Sequence, residues 1–104
     1  NIPVISIVFN NSGLGMIRQL QTVLFDKRFM ACECPGAVDF VKYGEAFGLA
    51  GTRVTTPEEL AEAVELALKE NKPHVIEVII NAKDMVQPLV ASGKGINSFV
   101  KFDA

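Results

Sequence analysis

Two apolar runs and one capped helix set the frame of this chain. Val4 to Phe9 (Val-Ile-Ser-Ile-Val-Phe) and Val75 to Ile80 (Val-Ile-Glu-Val-Ile-Ile) are β-branched and almost wholly apolar. Such runs read as strands buried on both faces, the habit of a parallel sheet. Pro3 suits the first position of a strand, where a missing N–H is tolerated. Leu49 to Val54 makes a shorter third strand, weakened by Gly51.

The intervening segments carry a different period. From about Gly15, the residues Met16, Ile17, Leu20, Val23 and Leu24 recur at helical spacing, and the pattern fades near Phe25-Asp26. Residues 26–37 read as a loop with Pro35-Gly36 as its turn. Asp39 can cap a second helix striped by Phe40, Val41, Gly44 and Phe47, with Gly48 where a left-handed residue is wanted. Thr56-Pro57-Glu58-Glu59 predicts a third: Thr56 as N-cap, Pro57 as first helical residue, Glu59 closing a capping box. Leu60, Val64, Ala67 and Leu68 then share a face, and Asn71 to Pro73 ends the helix. Glu77 is the local conflict, expected at an exposed strand end or paired with a neighbour.

Strand, helix, helix, strand, helix, strand is α/β, a parallel sheet flanked by helices in three layers. Three strands make a thin sheet with an edge and a face left open, which points to missing partners. The chain opens on Asn1-Ile2-Pro3 without Met. It therefore reads as a piece of a longer protein, with residues 82–104 an irregular surface tail ending in a short amphipathic turn.

Composition narrows the function classes. The 104 residues are 49 % hydrophobic and 21 % charged, ordinary for a globular chain, and carry a net charge of −2. Nothing there supports nucleic-acid binding, and the basic residues are too scattered for a membrane surface. No apolar stretch is long enough to span a membrane. Cys32 and Cys34 are too few and too close for a disulfide framework, and a lone C-x-C pair is a poor zinc signal. Reduced thiols in a loop of an intracellular protein is the reading they favour.

Candidate chemistry gathers at Asn10-Asn11-Ser12-Gly13-Leu14-Gly15-Met16. In parallel sheets ligands collect at the carboxyl ends of strands. An asparagine oxygen suits magnesium, and the start of a helix suits a diphosphate. A strand-to-helix turn that uses Asn, Ser and Gly for conformation alone remains the alternative.

The same stretch, Ile7-Val8-Phe9-Asn10-Asn11-Ser12-Gly13-Leu14-Gly15-Met16-Ile17-Arg18-Gln19-Leu20-Gln21, resembles the second half of the thiamine-diphosphate motif. Its nearest likeness is to the large catalytic subunit of acetolactate synthases, with N-N-x-x-x-G-M-V-x-Q-W-Q. The likeness continues in order through Leu24–Phe29, through Val38–Gly48, and through Gly51-Thr52-Arg53-Val54 to Lys72–Val78. It identifies the fold as the carboxyl-terminal part of a thiamine-diphosphate-binding domain.

That resemblance implies roles residue by residue. Asn11 gives its side-chain oxygen, and Gly13 its carbonyl, to Mg2+. Ser12, Gly13, Leu14, Gly15 and Met16 lie by the diphosphate. Met16 and Leu20 line the substrate channel, Leu20 standing where the synthases have Trp. Asn10 is a structural neighbour, and Gln87-Pro88-Leu89-Val90 resembles a segment near the active-site mouth. The implied parent decarboxylates pyruvate and condenses it with a second 2-oxo acid, in branched-chain amino-acid biosynthesis. No catalytic residue lies in these 104 residues, because the G-D-G half and the activating glutamate belong elsewhere, so the piece alone should be inactive. Implied partners are the rest of its own polypeptide, a homodimer or homotetramer with the site at the subunit interface, and a regulatory small subunit. FAD would bind outside this piece. The setting is cytoplasmic in a bacterium and organellar in a eukaryote. Related decarboxylases or carboligases, and a non-catalytic α/β assembly module, are the rival readings.

Other residues carry plainer expectations. His74 is the single histidine and is read as surface or structural. Arg18 and Arg28 could each serve an anion or a carboxylate. Phe25, Phe29, Phe40, Tyr43 and Phe47 are read as core or intersubunit packing.

Overall fold

A computed structural model describes residues 2–34, 36, 38–90 and 92–100. Three parallel strands form the sheet: β1 (Ile5–Asn10), β2 (Ala50–Val54) and β3 (His74–Ile79). Their spatial order is β1-β3-β2, so the last strand in sequence lies at the centre. Register is fixed in rows across the sheet, such as Val8–Glu77–Arg53 and Phe9–Val78–Val54.

Three helices join the strands: α1 (Gly15–Leu24), α2 (Phe40–Ala46) and α3 (Pro57–Glu70). The expected capping box forms, with the Thr56 side chain accepting from the Glu59 N–H and the Glu59 carboxylate accepting from the Thr56 N–H. Asp39 caps α2 by accepting from the Lys42 N–H. Asn71 ends α3 in the left-handed conformation.

α3 packs on one face of the sheet, where Val54, Ala63, Ile76 and Val78 form the buried core. α2 packs on the other, with Gly44 against the Val75 side chain. Both helices pack mainly on β2 and β3, and β1 reaches that core only at Ile5.

That arrangement corrects several expectations. β1 is an edge strand, not one buried on both faces: Ile7 is 43 % exposed and Phe9 62 %. α1 is not among the helices that pack closely on the sheet, and its apolar stripe (Met16, Ile17, Leu20, Val23, Leu24) is exposed. Leu68 is exposed and Ala63 takes its place in the core, because the buried line on α3 runs through Leu60, Ala63, Val64 and Ala67. Of the aromatic residues read as core or intersubunit packing, Phe25, Phe29, Tyr43 and Phe47 are exposed, which removes the core reading for them, and Tyr43 and Phe47 meet edge to face. The radius of gyration is 17.0 Å, against about 13 Å for a compact domain of this length. The open edge expected of a thin sheet is present at β1, but no whole face is open, because a helix packs on each side of β2 and β3.

The tail is more ordered than expected. Leu89–Val90 (β4) and Phe99–Val100 (β5) pair as a small antiparallel ribbon rather than an amphipathic turn. Backbone pairing of β-branched and aromatic residues wins there over helical spacing. Gln19, buried on α1, donates to the Val86 carbonyl and accepts from the Val86 N–H, which ties the tail to α1. The Gln87-Pro88 peptide bond is cis. Pro35, half of the expected turn signal, lies outside the described residues.

Candidate cofactor-binding turn

The candidate residues fall on one tight turn between β1 and α1. Two side-chain turns overlap in it: Asn10 Oδ1 accepts from the Ser12 N–H at 2.9 Å, and Asn11 Oδ1 accepts from the Gly13 N–H at 3.1 Å. Ser12 sits at φ 56°, an uncommon conformation for a residue with a side chain. Asparagine side chains that bond two residues ahead stabilise such turns.

Residues Cys32 to Cys34 fold back over the turn, which their composition did not disclose. Leu14 N–H donates to the Cys32 carbonyl at 2.8 Å, and Cys34 N–H donates to the Ser12 carbonyl at 2.9 Å. The Gly13 carbonyl takes part in neither bond. A Cβ on Gly13 would sit 2.7 Å from the Cys32 oxygen, and one on Gly15 would sit 2.7 Å from Asn11 Nδ2. Gly13 is thus required by the approach of backbone, whereas a side chain at position 15 would push the Asn11 amide aside. Cys32 is buried under this contact, and both cysteines are free thiols.

Two cavities flank the turn. The smaller, about 260 Å³, is lined by Asn11, Ser12, Gly13, Leu14, Gly15 and Arg18, with Cys32, Glu33 and Ala82. The larger, about 550 Å³, lies against Asn10, Asp39, Arg53 and Glu77 on the other side. Size favours the larger, but donor chemistry favours the smaller, which holds the Asn11 oxygen and the start of α1.

Electrostatics differ on the two sides. Arg18 pairs with Glu33 at 2.9 Å and stacks over the Phe29 ring at 4.0 Å, so the carboxylate alternative holds for it. Arg28 donates to the Phe25 carbonyl. On the larger cavity, Glu77 is 1 % exposed at the centre of the sheet. Its Oε1 accepts from Asn10 Nδ2 at 2.6 Å and its Oε2 from Arg53 Nε at 2.7 Å. Of its two expected situations, pairing is the one realised. Arg53 also reaches Asp39 at 2.8 Å. Hydrogen bonds from Glu77 and then Asp39 hold Arg53 above its ordinary pKa. The Lys42 N–H and then Arg53 hold Asp39 below its own.

The remaining sequence candidates lie apart. Met16 (48 % exposed) and Leu20 (40 % exposed) sit one turn apart on the outside of α1 and line neither cavity. His74 is buried, with Nε2 2.9 Å from the Thr52 hydroxyl, so of its two expected situations the surface one is not realised. It lies at the opposite end of the strands. The Asn10–Glu77–Arg53–Asp39 network went unseen in the sequence, although a lone Glu in an apolar strand marked one end of it.

Comparison with known proteins decides the family. Residues 1–78 match the family described as "Thiamine pyrophosphate enzyme, C-terminal TPP binding domain". The chain belongs to this thiamine pyrophosphate enzyme family. It is 35 % identical over 91 residues, 85 % of its own length, to the probable acetolactate synthase large subunit of Methanococcus aeolicus. It is 35 % identical over 101 residues, 97 % of its length, to the mitochondrial acetolactate synthase catalytic subunit of Saccharomyces cerevisiae. The acetolactate synthase of Mycobacterium avium is 35 % identical over 97 residues, 88 % of this chain. The chain spans 15 % of the length of the first two relatives and 16 % of the third.

Membership of a thiamine-pyrophosphate-binding family implies thiamine diphosphate, and the turn fits it. Leu14, which flanks α1, supplies no side-chain cap, and the first turn holds no acidic residue. The helix start therefore keeps N–H donors and a positive end for an anion. Among the described residues no group of three or more His, Cys, Asp or Glu side chains is placed to hold a metal ion. No helix among the described residues is long and apolar enough to cross a membrane.

Proposed function

We propose that this chain is the diphosphate-binding part of an acetolactate synthase-like enzyme, and that it holds Mg2+ through Asn11 Oδ1 and the Gly13 carbonyl. The observation that carries this reading is the overlap of the two oxygens with an uncapped helix start on one cavity. The cavity is smaller than the ~300–1,000 Å³ of a complete small-molecule site, as expected where further contacts come from other parts of the polypeptide. Thiamine diphosphate, when bound, supplies the carbanion chemistry that removes CO2 from one 2-oxo acid and joins the remainder to a second. This chain's share is to bind and orient. Asn11 and Gly13 offer oxygens to the cation without adding charge. The N–H groups of Gly15 and Met16 face the anion. Met16 and Leu20, exposed on the outside of α1 and apart from both cavities, would meet the acceptor on that outer face.

The exposed stripe of α1 and the open edge of β1 fit the remainder of the polypeptide and a second subunit, the arrangement that would also bring the missing metal ligand and activating glutamate. Leu20 in place of Trp supports a second reading, a related decarboxylase or carboligase with a differently shaped acceptor pocket. FAD and a regulatory subunit belong to the whole enzyme rather than to this part. Calorimetric titration of the full-length protein with thiamine diphosphate and Mg2+ tests the assignment. Binding that is lost in Asn11→Ala supports it. No binding, or binding untouched by that change, leaves the turn a purely conformational feature.

A further inference from the structure

A buried carboxylate in the central strand is an expensive choice for a small sheet. An apolar residue would pack beside Val75 without desolvating a charge, and buried ion pairs are weak evidence for stability. Glu77 is held there by two short charge-assisted bonds, to Asn10 at 2.6 Å and Arg53 at 2.7 Å. The bond to Asn10 leads straight to the cofactor turn. The Asn10 amide is fixed at both ends: its Nδ2 donates to Glu77, and its Oδ1 accepts from the Ser12 N–H. Ser12 is the residue in the left-handed conformation. The next side-chain turn, Asn11 to Gly13, overlaps it by one residue. A change in Ser12 therefore displaces both oxygens assigned to the cation. At the far end, Arg53 reaches Asp39, the residue that caps α2. The chain of contacts crosses all three strands and ends at the turn.

We propose that Glu77 is a positioning residue for the metal-bearing turn, acting through Asn10 to hold Ser12 so that Asn11 and Gly13 keep their places. This rests on the assignment of Mg2+ to Asn11 and Gly13. Residues that orient metal ligands typically change metal affinity by about 10–100-fold when removed.

The test is calorimetric titration of Mg2+, at fixed thiamine diphosphate, into the full-length protein and its Glu77→Gln, Asn10→Ala, double and Asn11→Ala variants. Glu77→Gln and Asn10→Ala should each raise the apparent Kd for Mg2+ by about 10-fold or more. The double variant should be no worse than the poorer single, since both break one connection. A fall in the melting temperature of the metal-free protein with an unchanged Mg2+ Kd would reduce Glu77 to a brace and overturn the proposal. Fully additive losses would overturn it too. If Glu77→Gln does not fold, Asn10→Ala carries the test, and an unchanged Kd there is decisive against it. Asn11→Ala separates the two claims. Tight Mg2+ binding in that variant overturns the function reading and the positioning role together. Loss in Asn11→Ala with normal binding in the other variants overturns the positioning role alone.

Discussion

β3, β2, α2 and α3 bury a shared core of Val54, Ala63, Ile76 and Val78, while β1 and α1, across the same sheet, leave Ile7, Phe9, Ile17, Leu20 and Leu24 exposed. The candidate site belongs to the open half. Its turn leaves β1 and starts α1, yet it is tied back to the closed half through Asn10, Glu77 and Arg53. The contrast teaches where rigidity and binding surface come from. The closed half supplies a packed frame, and the open half carries exposed apolar surface beside the candidate turn.

The contrast can be broken most directly at Gly15. In Gly15→Ala the new Cβ would meet Asn11 Nδ2 at 2.7 Å. Mg2+ affinity of the full-length protein should fall by about 10–100-fold, measured by calorimetry, with the closed half's fold retained by circular dichroism. Affinity equal to wild type would show that the crowding at the turn is without consequence.

A packing comparison comes next. Ile76 is fully buried, so Ile76→Ala should cost the intact protein about 2–5 kcal/mol by chemical denaturation. Phe9→Ala should cost little in the isolated 104-residue chain and markedly more in the full-length protein if the proposed partners cover the open half. Equal costs in the two settings would mean that nothing covers Phe9. The isolated chain should also self-associate through the β1 edge and the α1 stripe. A single monomeric peak on gel filtration would contradict that.

These outcomes bear on what the residues disclosed on their own. The capping box at Thr56 and Glu59 and the Asp39 cap were legible because they are local: side chain and backbone partner lie three residues apart. The turn was legible for the same reason, since Asn10 and Asn11 each bond two residues ahead. Non-local pairings were not legible. Glu77 lies 67 residues from Asn10, and Gln19 lies 67 residues from Val86. No periodicity relates such positions. The apolar run at Val4–Phe9 misled about burial because composition does not say which strands the helices cover, and α2 and α3 pack mainly on the other two.

Smaller effects follow from the caps. Thr56→Ala should destabilise by about 1 kcal/mol, read from the thermal midpoint of the intact protein. Smallest of all is the acid response. Thr55 N–H and hydroxyl bonds hold the Glu59 carboxyl below its ordinary 4.5, and the Lys42 N–H and Arg53 hold Asp39 below 3.8. A depressed pKa contributes stability that is complete above the unfolded value and is lost as pH falls through the folded one. Asp39→Asn and Glu59→Gln should therefore flatten the acid limb of the stability curve and leave its slope above about pH 5 unchanged. A changed slope at neutral pH would contradict this assignment.

The central claim is that the Asn11–Gly13 turn holds the cation beside the diphosphate. Mn2+ substitutes for Mg2+ and gives an anomalous signal, so the most direct measurement is a crystal structure of the full-length protein with thiamine diphosphate and Mn2+. The account predicts an anomalous peak about 2.1 Å from both Asn11 Oδ1 and the Gly13 carbonyl oxygen. A peak coordinated elsewhere, with Asn11 still bonded only to the Gly13 N–H, would contradict it.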